Sequence, residues 1–192
     1  MSQTFAEYIE ESSKVLSDTI EYVGEEKIGQ AIDLCVSAII NGKSILTCGN
    51  GGSAADATHI AGELVMRFML DRKAFRCICL SDNSGTITAC ANDVDYSFIF
   101  ERQVEAFGDE GGVLIAISTS GNSPNVVRAV ERAKIMGVNV IALTGQGGGK
   151  LAKHADVLLD IPSKQTPCIQ QAHECIYHYM CGKIEEKVVG ST

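Results

Sequence analysis

The chain has 192 residues, 45% of them hydrophobic, which suits a single domain spanning 1–192 whose core needs no staples. Lys and Arg total 16 against 24 Asp and Glu, giving a formal charge of -8 with no basic run, so nucleic acid and acidic membrane surfaces are excluded as partners. The eight cysteines form no C-x-x-C pair, no stretch reaches membrane-spanning length, and Met1 to Glu7 has no apolar h-region, which together predict a cytoplasmic protein with reduced thiols.

Phe5, Ile9, Leu16, Ile20 and Val23 recur at helical spacing, and Ile28, Ile32, Cys35, Val36 and Ile39 carry a second stretch to Asn41-Gly42. Two helices are therefore expected ahead of the first strand. An apolar stripe placed that early must pack on the later sheet or on another subunit, so these helices are expected to take part in oligomer packing. From residue 43, apolar runs at 43–48, 75–80, 113–118, 138–143 and 157–161 read as strands. They alternate with helical patterns near 53–68, 84–91, 95–107, 123–136 and 148–154, and a last helix follows Pro167. That order predicts an α/β fold, a doubly wound parallel sheet with helices on both faces.

Residues 49–67 combine a glycine-serine loop, a histidine and a carboxylate in one strand-to-helix unit. The strand Ser44 to Cys48 opens into Gly49-Asn50-Gly51-Gly52-Ser53, and the free N–H groups of the helix that follows favour an anion such as phosphate. His59 and Glu63 stand four apart on that helix and share a face, so an imidazole and a carboxylate can meet one ion or substrate. Taken alone, such a pair is more often a solvated surface contact. A second loop, Ser118-Thr119-Ser120-Gly121-Asn122-Ser123-Pro124, follows the third strand. Ser123 and Pro124 are ordinary helix-start residues, but capping needs only one hydroxyl. Several hydroxyls at the carboxyl end of a central strand suit a phosphate held without positive charge.

Gly49-x-Gly51-x-x-Ala54 also fits the dinucleotide fingerprint, with Asp82 as a late candidate for the ribose acid. A Walker loop fails around Gly149-Lys150, where Thr144 and Leu151 occupy the diagnostic positions. The terminal helix carries Gln170, His173 and His178. Gln170 and His178 are separated by about 12 Å of helix rise, so both reach one ion only if their side chains lean together. His173, between them, reads best as a core histidine, and His154 as a surface one.

In order, Cys48 to Ser53, His59-x-x-x-Glu63 with Arg67, Ala91-Asn92-Asp93, Ile117 to Ser123, Leu143-Thr144-Gly145 and Ile169 to His173 with His178 resemble the phosphosugar-binding sugar isomerase (SIS) domain family. The resemblance covers nearly the whole chain. It implies a flavodoxin-like five-stranded sheet and a homotetramer with active sites at subunit interfaces. It also implies an aldose-ketose isomerase that converts sedoheptulose 7-phosphate to D-glycero-D-manno-heptose 7-phosphate through an enediol, for heptose and surface polysaccharide synthesis. Ser53, Ser118, Thr119, Ser120 and Ser123 would hold the phosphate, with Asn50, Gly51, Gly52, Arg67, Asp93 and Gln170 also binding substrate. Glu63 and His178 match the acid/base pair. In zinc-containing members His59, Glu63, Gln170 and His178 match the ligands of one zinc per subunit. The chain departs from the family pattern at Val65-Met66, Pro167 and Cys168, near the sugar contacts. A rival reading is a non-catalytic binding platform resembling the DnaA initiator-associating protein; such members lack the matching glutamate and final histidine.

Overall fold

The computed structural model describes residues 3–190. The first helix, α1 (Phe5–Ile40), opens on a capping box. The Glu7 N–H donates to Thr4 Oγ1 at 3.2 Å, and the Thr4 N–H donates to Glu7 Oε2 at 2.7 Å, which satisfies two N–H groups of the helix start. The two expected helices are the two arms of α1, which breaks at Gly24 (φ 76, ψ 154), a conformation only glycine adopts freely. Past Asn41 and Gly42 the chain turns into the sheet.

The following elements are β1 (Ile45–Cys48), α2 (Gly52–Val65), β2 (Cys77–Cys79), α3 (Ser84–Asp93), α4 (Glu101–Phe107), β3 (Val113–Ser118), α5 (Pro124–Ile135), β4 (Asn139–Thr144), β5 (Val157–Asp160) and α6 (Thr166–Gly190). The strands form one parallel sheet in the order β2-β1-β3-β4-β5, the flavodoxin-like arrangement. Two sequence expectations change. The 95–107 helix divides into a 3-10 turn at Tyr96–Phe98 and α4. The 148–154 helix reduces to a 3-10 turn at Gly149–Leu151, because Gly147, Gly148 and Gly149 all take positive φ and cannot continue a right-handed helix.

Strand alternation sorts the core into two layers. Ile45, Ile115, Ile117, Ile141 and Leu143 pack with α1, α2 and α6 on one face, while Leu46, Leu114, Ala116, Val140 and Ala142 pack with α4 and α5 on the other. Every β1 and β3 residue is buried, as strands covered on both faces require. β1 pairs with β2 on one side and β3 on the other, so the connections after β1 and β3 diverge to opposite faces. The crevice between their carboxyl ends is where open α/β sheets bind ligands. Among the described residues, part of α1 stays uncovered: Phe5 and Ile20 are 79% and 70% exposed, whereas Val23 is buried.

Candidate active site

The loop after β3 brings its hydroxyls together. Ser118 Oγ lies 3.0 Å from Ser123 Oγ and 3.4 Å from Ser120 Oγ. Ser123 occupies the N-cap of α5 with Pro124 behind it, yet its side chain makes no capping hydrogen bond. The hydroxyl faces its neighbouring serines instead of the helix, so helix-start grammar does not account for it. Thr119 also stands in this loop, with its carbonyl accepting from the Gly145 N–H at 3.0 Å.

The loop is held from below by the turn that replaced the expected helix. The Leu151 N–H donates to the Gly121 carbonyl at 3.1 Å, and the Lys150 N–H donates to Asn122 Oδ1 at 3.1 Å. Gly121 has φ 63, and a Cβ there would run into the Gly148 carbonyl. Only glycine allows the two backbones to approach this closely.

The loop after β1 lies across the crevice. Gly49 packs against the Ser53 backbone too closely for any side chain, and Gly51 caps α2 with φ 56 and no side-chain hydrogen bond. The first N–H groups of α2, at Gly52 and Ser53, thus start a helix with no side chain to satisfy them. Ser53 itself is buried. Asn50 ties the two loops together. Its Nδ2 donates to Asn125 Oδ1 at 2.9 Å, Asn125 Nδ2 donates back to Asn50 Oδ1 at 2.8 Å, and the Tyr96 hydroxyl donates to the same Asn50 oxygen at 3.0 Å. Asp82, the acid a dinucleotide reading would need, is engaged by the Thr58 hydroxyl at 2.5 Å.

Further along α2, its i, i+4 pair meets α6. His59 Nε2 is 3.1 Å from Glu63 Oε1 and 3.4 Å from His178 Nε2. On the other side of the His59 ring, Nδ1 lies 3.0 Å from the Tyr177 hydroxyl. Phe68 stacks on the His178 ring with centroids 5.6 Å apart. Burial, followed by the Asp56 and Glu174 carboxylates, pushes the Tyr177 phenol well above its ordinary range, so it stays protonated. Asp56, one turn before His59, has a buried Oδ2 without a hydrogen-bond partner. Burial, then Glu174, raises its carboxyl to about 6, with His59 pulling the other way.

The donor set fits a divalent cation. One proton on His59 Nε2 cannot serve both contacts, since donating to Glu63 removes the lone pair that would accept from His178. Ligands of a four-coordinate zinc with bonds of about 2.0–2.1 Å sit about 3.4 Å apart, close to the separations at this nitrogen. A His59 Nδ1–H donated to the Tyr177 oxygen would fix the tautomer with Nε2 free to ligate.

Gln170 is placed elsewhere. Its amide packs over Gly52, where a Cβ would collide with it, so Gln170 joins α6 to the start of α2. Arg67 and Asp93 are both exposed; Asp93 accepts from Asn92 at 2.8 Å, and Arg67 makes no hydrogen bond or ion pair among the described residues. His173 is the core histidine expected from the sequence. It is fully buried within hydrogen-bonding distance of the Thr144 carbonyl (3.1 Å), and burial lowers its pKa to about 4, leaving it neutral. His154 is half-buried beside Glu131, at 3.3 Å.

Sequence reasoning missed several residues. Glu174 joins His59 and His178 in a group whose ligand atoms all lie within 4.8 Å of one another. Its position four residues from both Gln170 and His178 was the available signal. Glu185, buried on α6, accepts from the Phe68 and Met69 N–H groups at 2.7 Å and the Leu70 N–H at 2.9 Å, and pairs with Arg72 Nε at 2.9 Å. This clamp holds the segment that carries Phe68 against His178, and nothing in local sequence foretells it.

A family model for the SIS domain matches residues 7–145. A phosphoheptose isomerase of Clostridium acetobutylicum is 46% identical over 182 residues, covering 95% of this chain and 91% of the relative. A solved phosphoheptose isomerase from Neisseria gonorrhoeae shares 39% identity with a TM-score of 0.88, covering 94% of this chain and 96% of that one. Another, from Francisella tularensis, shares 37% identity with a TM-score of 0.89, covering 93% and 95%. With the SIS model matching most of its length and these relatives matching nearly end to end, the chain belongs to the SIS domain family and, within it, to the phosphoheptose isomerases.

Proposed function

We propose that the chain is an isomerase that converts sedoheptulose 7-phosphate to D-glycero-D-manno-heptose 7-phosphate, working as a single SIS domain over 1–192. The observation that carries this reading is the meeting of Glu63 and His178 at His59 Nε2 in a chain of this family. A non-catalytic platform has no use for that pair and is not favoured.

Ketose-to-aldose conversion moves a proton from C1 to C2 and shifts the carbonyl the other way, through an enediol. Glu63 takes the proton from C1 and returns it to C2. His178 passes a proton between the two oxygens. Ser53, Ser118, Thr119, Ser120 and Ser123, with the N–H groups of Gly51, Gly52 and Ser53, grip the phosphate and fix the distance from it to the reacting carbons. Asn50, Arg67, Asp93 and Gln170 bind the sugar chain. The pairing of Asn50 with Asn125 supports a pre-set position for the first of these. Zinc, held by His59, Glu63, Gln170 and His178, would polarise the ketose carbonyl and the neighbouring hydroxyl.

The exposed Phe5, Ile9 and Ile20 on α1 and the outward Arg67 support a homotetramer whose neighbouring subunits complete the sites. No helix among the described residues is long and apolar enough to cross a membrane, and a cytoplasmic role in making heptose for surface lipopolysaccharide agrees with that. Incubating the purified protein with sedoheptulose 7-phosphate should yield the heptose phosphate, followed by phosphorus and proton NMR. Absence of turnover with and without added zinc would overturn the reading.

A further inference from the structure

We propose, resting on the reading of Asn50 as a contact to the sugar chain, that Asn125 is the positioning residue of that contact. Its buried amide turns the Asn50 side chain so that Asn50 offers the substrate an N–H and no acceptor.

Helix capping fixes the first amide. Ser123 makes no capping hydrogen bond, and Asn125 serves the start of α5 instead, its Oδ1 accepting from the Val126 N–H at 3.0 Å. A backbone N–H can only donate, so the amide oxygen of Asn125, not its nitrogen, must sit beside it. That orientation dictates the second amide. Asn50 Nδ2 donates to Asn125 Oδ1 at 2.9 Å, and Asn50 Oδ1 accepts from Asn125 Nδ2 at 2.8 Å. Neither amide can flip alone without setting donor against donor and acceptor against acceptor, and a joint flip would strand the Val126 N–H. The Tyr96 hydroxyl completes the set by donating to Asn50 Oδ1 at 3.0 Å.

The network leaves only donors unspent. Each amide oxygen accepts two hydrogen bonds, which fills its lone pairs, while each Nδ2 has used one of its two N–H groups. Asn125 is 2% exposed and Asn50 half-buried, so the spare N–H of Asn50 is the one a ligand can reach. It suits an accepting oxygen of the sugar chain, a carbonyl or a hydroxyl lone pair. Asn125 lies two residues after Ser123, so the same amide also fixes this contact relative to the hydroxyls of the phosphate loop. A donor held in place before the ligand arrives avoids the cost of ordering it on binding.

A double-mutant cycle tests this, with affinities for sedoheptulose 7-phosphate and for inorganic phosphate measured by calorimetry and folding checked by thermal melting. Asn50→Ala should weaken sugar phosphate binding by about five- to tenfold and Asn125→Ala by a similar factor. Asn50→Ala/Asn125→Ala should be no weaker than Asn50→Ala, because one contact is lost in all three. Inorganic phosphate has no sugar chain to present to Asn50 and should bind all of them nearly equally. Asn125→Asp keeps the cap oxygen and removes the donor to Asn50, so it takes the place of the alanine variant should that fold poorly. Its readout is the ratio of sugar phosphate to inorganic phosphate affinity, in which the repulsion of its added charge cancels. Losses that multiply in the double variant, an equal loss of inorganic phosphate affinity in Asn125→Ala, or a lower melting temperature with sugar phosphate affinity kept would overturn the proposal and leave Asn50 as a sugar contact. Unchanged affinity in Asn50→Ala, or a wild-type protein that binds no sedoheptulose 7-phosphate, would overturn the underlying reading and the proposal with it.

Discussion

The hydroxyl loop after β3 and the imidazole-carboxylate cluster between α2 and α6 satisfy their polar groups in different ways. In the loop, Ser118, Ser120 and Ser123 bond among themselves, and the backbone is locked by Gly121 against the Gly148 carbonyl and by Lys150 and Leu151 N–H donors. In the cluster, Glu63 Oε1 and His178 Nε2 both lie against Nε2 of an exposed His59, two contacts that a single proton cannot satisfy. The first arrangement is complete without help and suits a group that stays the same throughout the reaction. The second leaves one contact of its imidazole unsatisfied, and suits the place where charge would develop in the proposed reaction. In the proposed reaction a phosphate held by the loop would be bound equally in ground and transition states, so the loop should govern binding, while the cluster should govern the rate.

The largest effect expected from breaking that division is at Glu63. Glu63→Gln should lower kcat by about 10²- to 10⁴-fold, the usual share of a general base, with phosphosugar affinity by calorimetry nearly unchanged.

Next comes the clamp that steadies the cluster. Glu185→Gln should cost about 3–5 kcal/mol of stability in urea denaturation, because Arg72 is left as an uncompensated buried charge. The same variant has a pH signature. Burial opposes the charged form of Glu185, but the Met69, Phe68 and Leu70 N–H groups and Arg72 outweigh it and hold the carboxyl below its ordinary value. A carboxyl lowered by folding adds stability above its unfolded pKa of about 4.3 and loses it as the pH falls through the folded value. Wild-type stability should therefore fall more steeply below about pH 4.3 than that of Glu185→Gln. Parallel curves would show that Glu185 is not charged in the folded protein.

The smallest effect is in the hydroxyl loop. Ser123→Ala removes one hydroxyl that caps nothing and leaves Ser118 its contact with Ser120, so stability should change little. A lost hydrogen bond to a charged phosphate should cost about 1.5–3 kcal/mol, read as a KM raised about tenfold or more with kcat little changed. A lower melting temperature with unchanged KM would return Ser123 to a purely structural part.

Much of the sheet was legible because its strands are near-continuous apolar runs separated by helical patterns, and both faces of such strands must be covered. The periodicity separates two helices ahead of the first strand, and the backbone joins them at Gly24 as the arms of α1. The expected 148–154 helix fails because its start runs through Gly147, Gly148 and Gly149, whose three successive positive φ values outweigh the helical spacing of the residues that follow. Within the site, local spacing sufficed for His59 and Glu63, one turn apart on one helix. It could not show that Gln170 would come to lie over Gly52, or that Asn50 would be held by Asn125 across 75 positions of sequence. Arg72 and Glu185 look like ordinary surface charges until folding buries them together, 3% and 1% exposed in their side chains. Pairing of that kind depends on tertiary approach alone.

The most direct test of the division between binding and chemistry puts Glu63→Gln and Ser123→Ala through the same pair of measurements, steady-state turnover of sedoheptulose 7-phosphate and its calorimetric affinity. Turnover lost with affinity kept in Glu63→Gln, and affinity weakened with kcat kept in Ser123→Ala, is the predicted result. Equal loss of both quantities in either variant would contradict it.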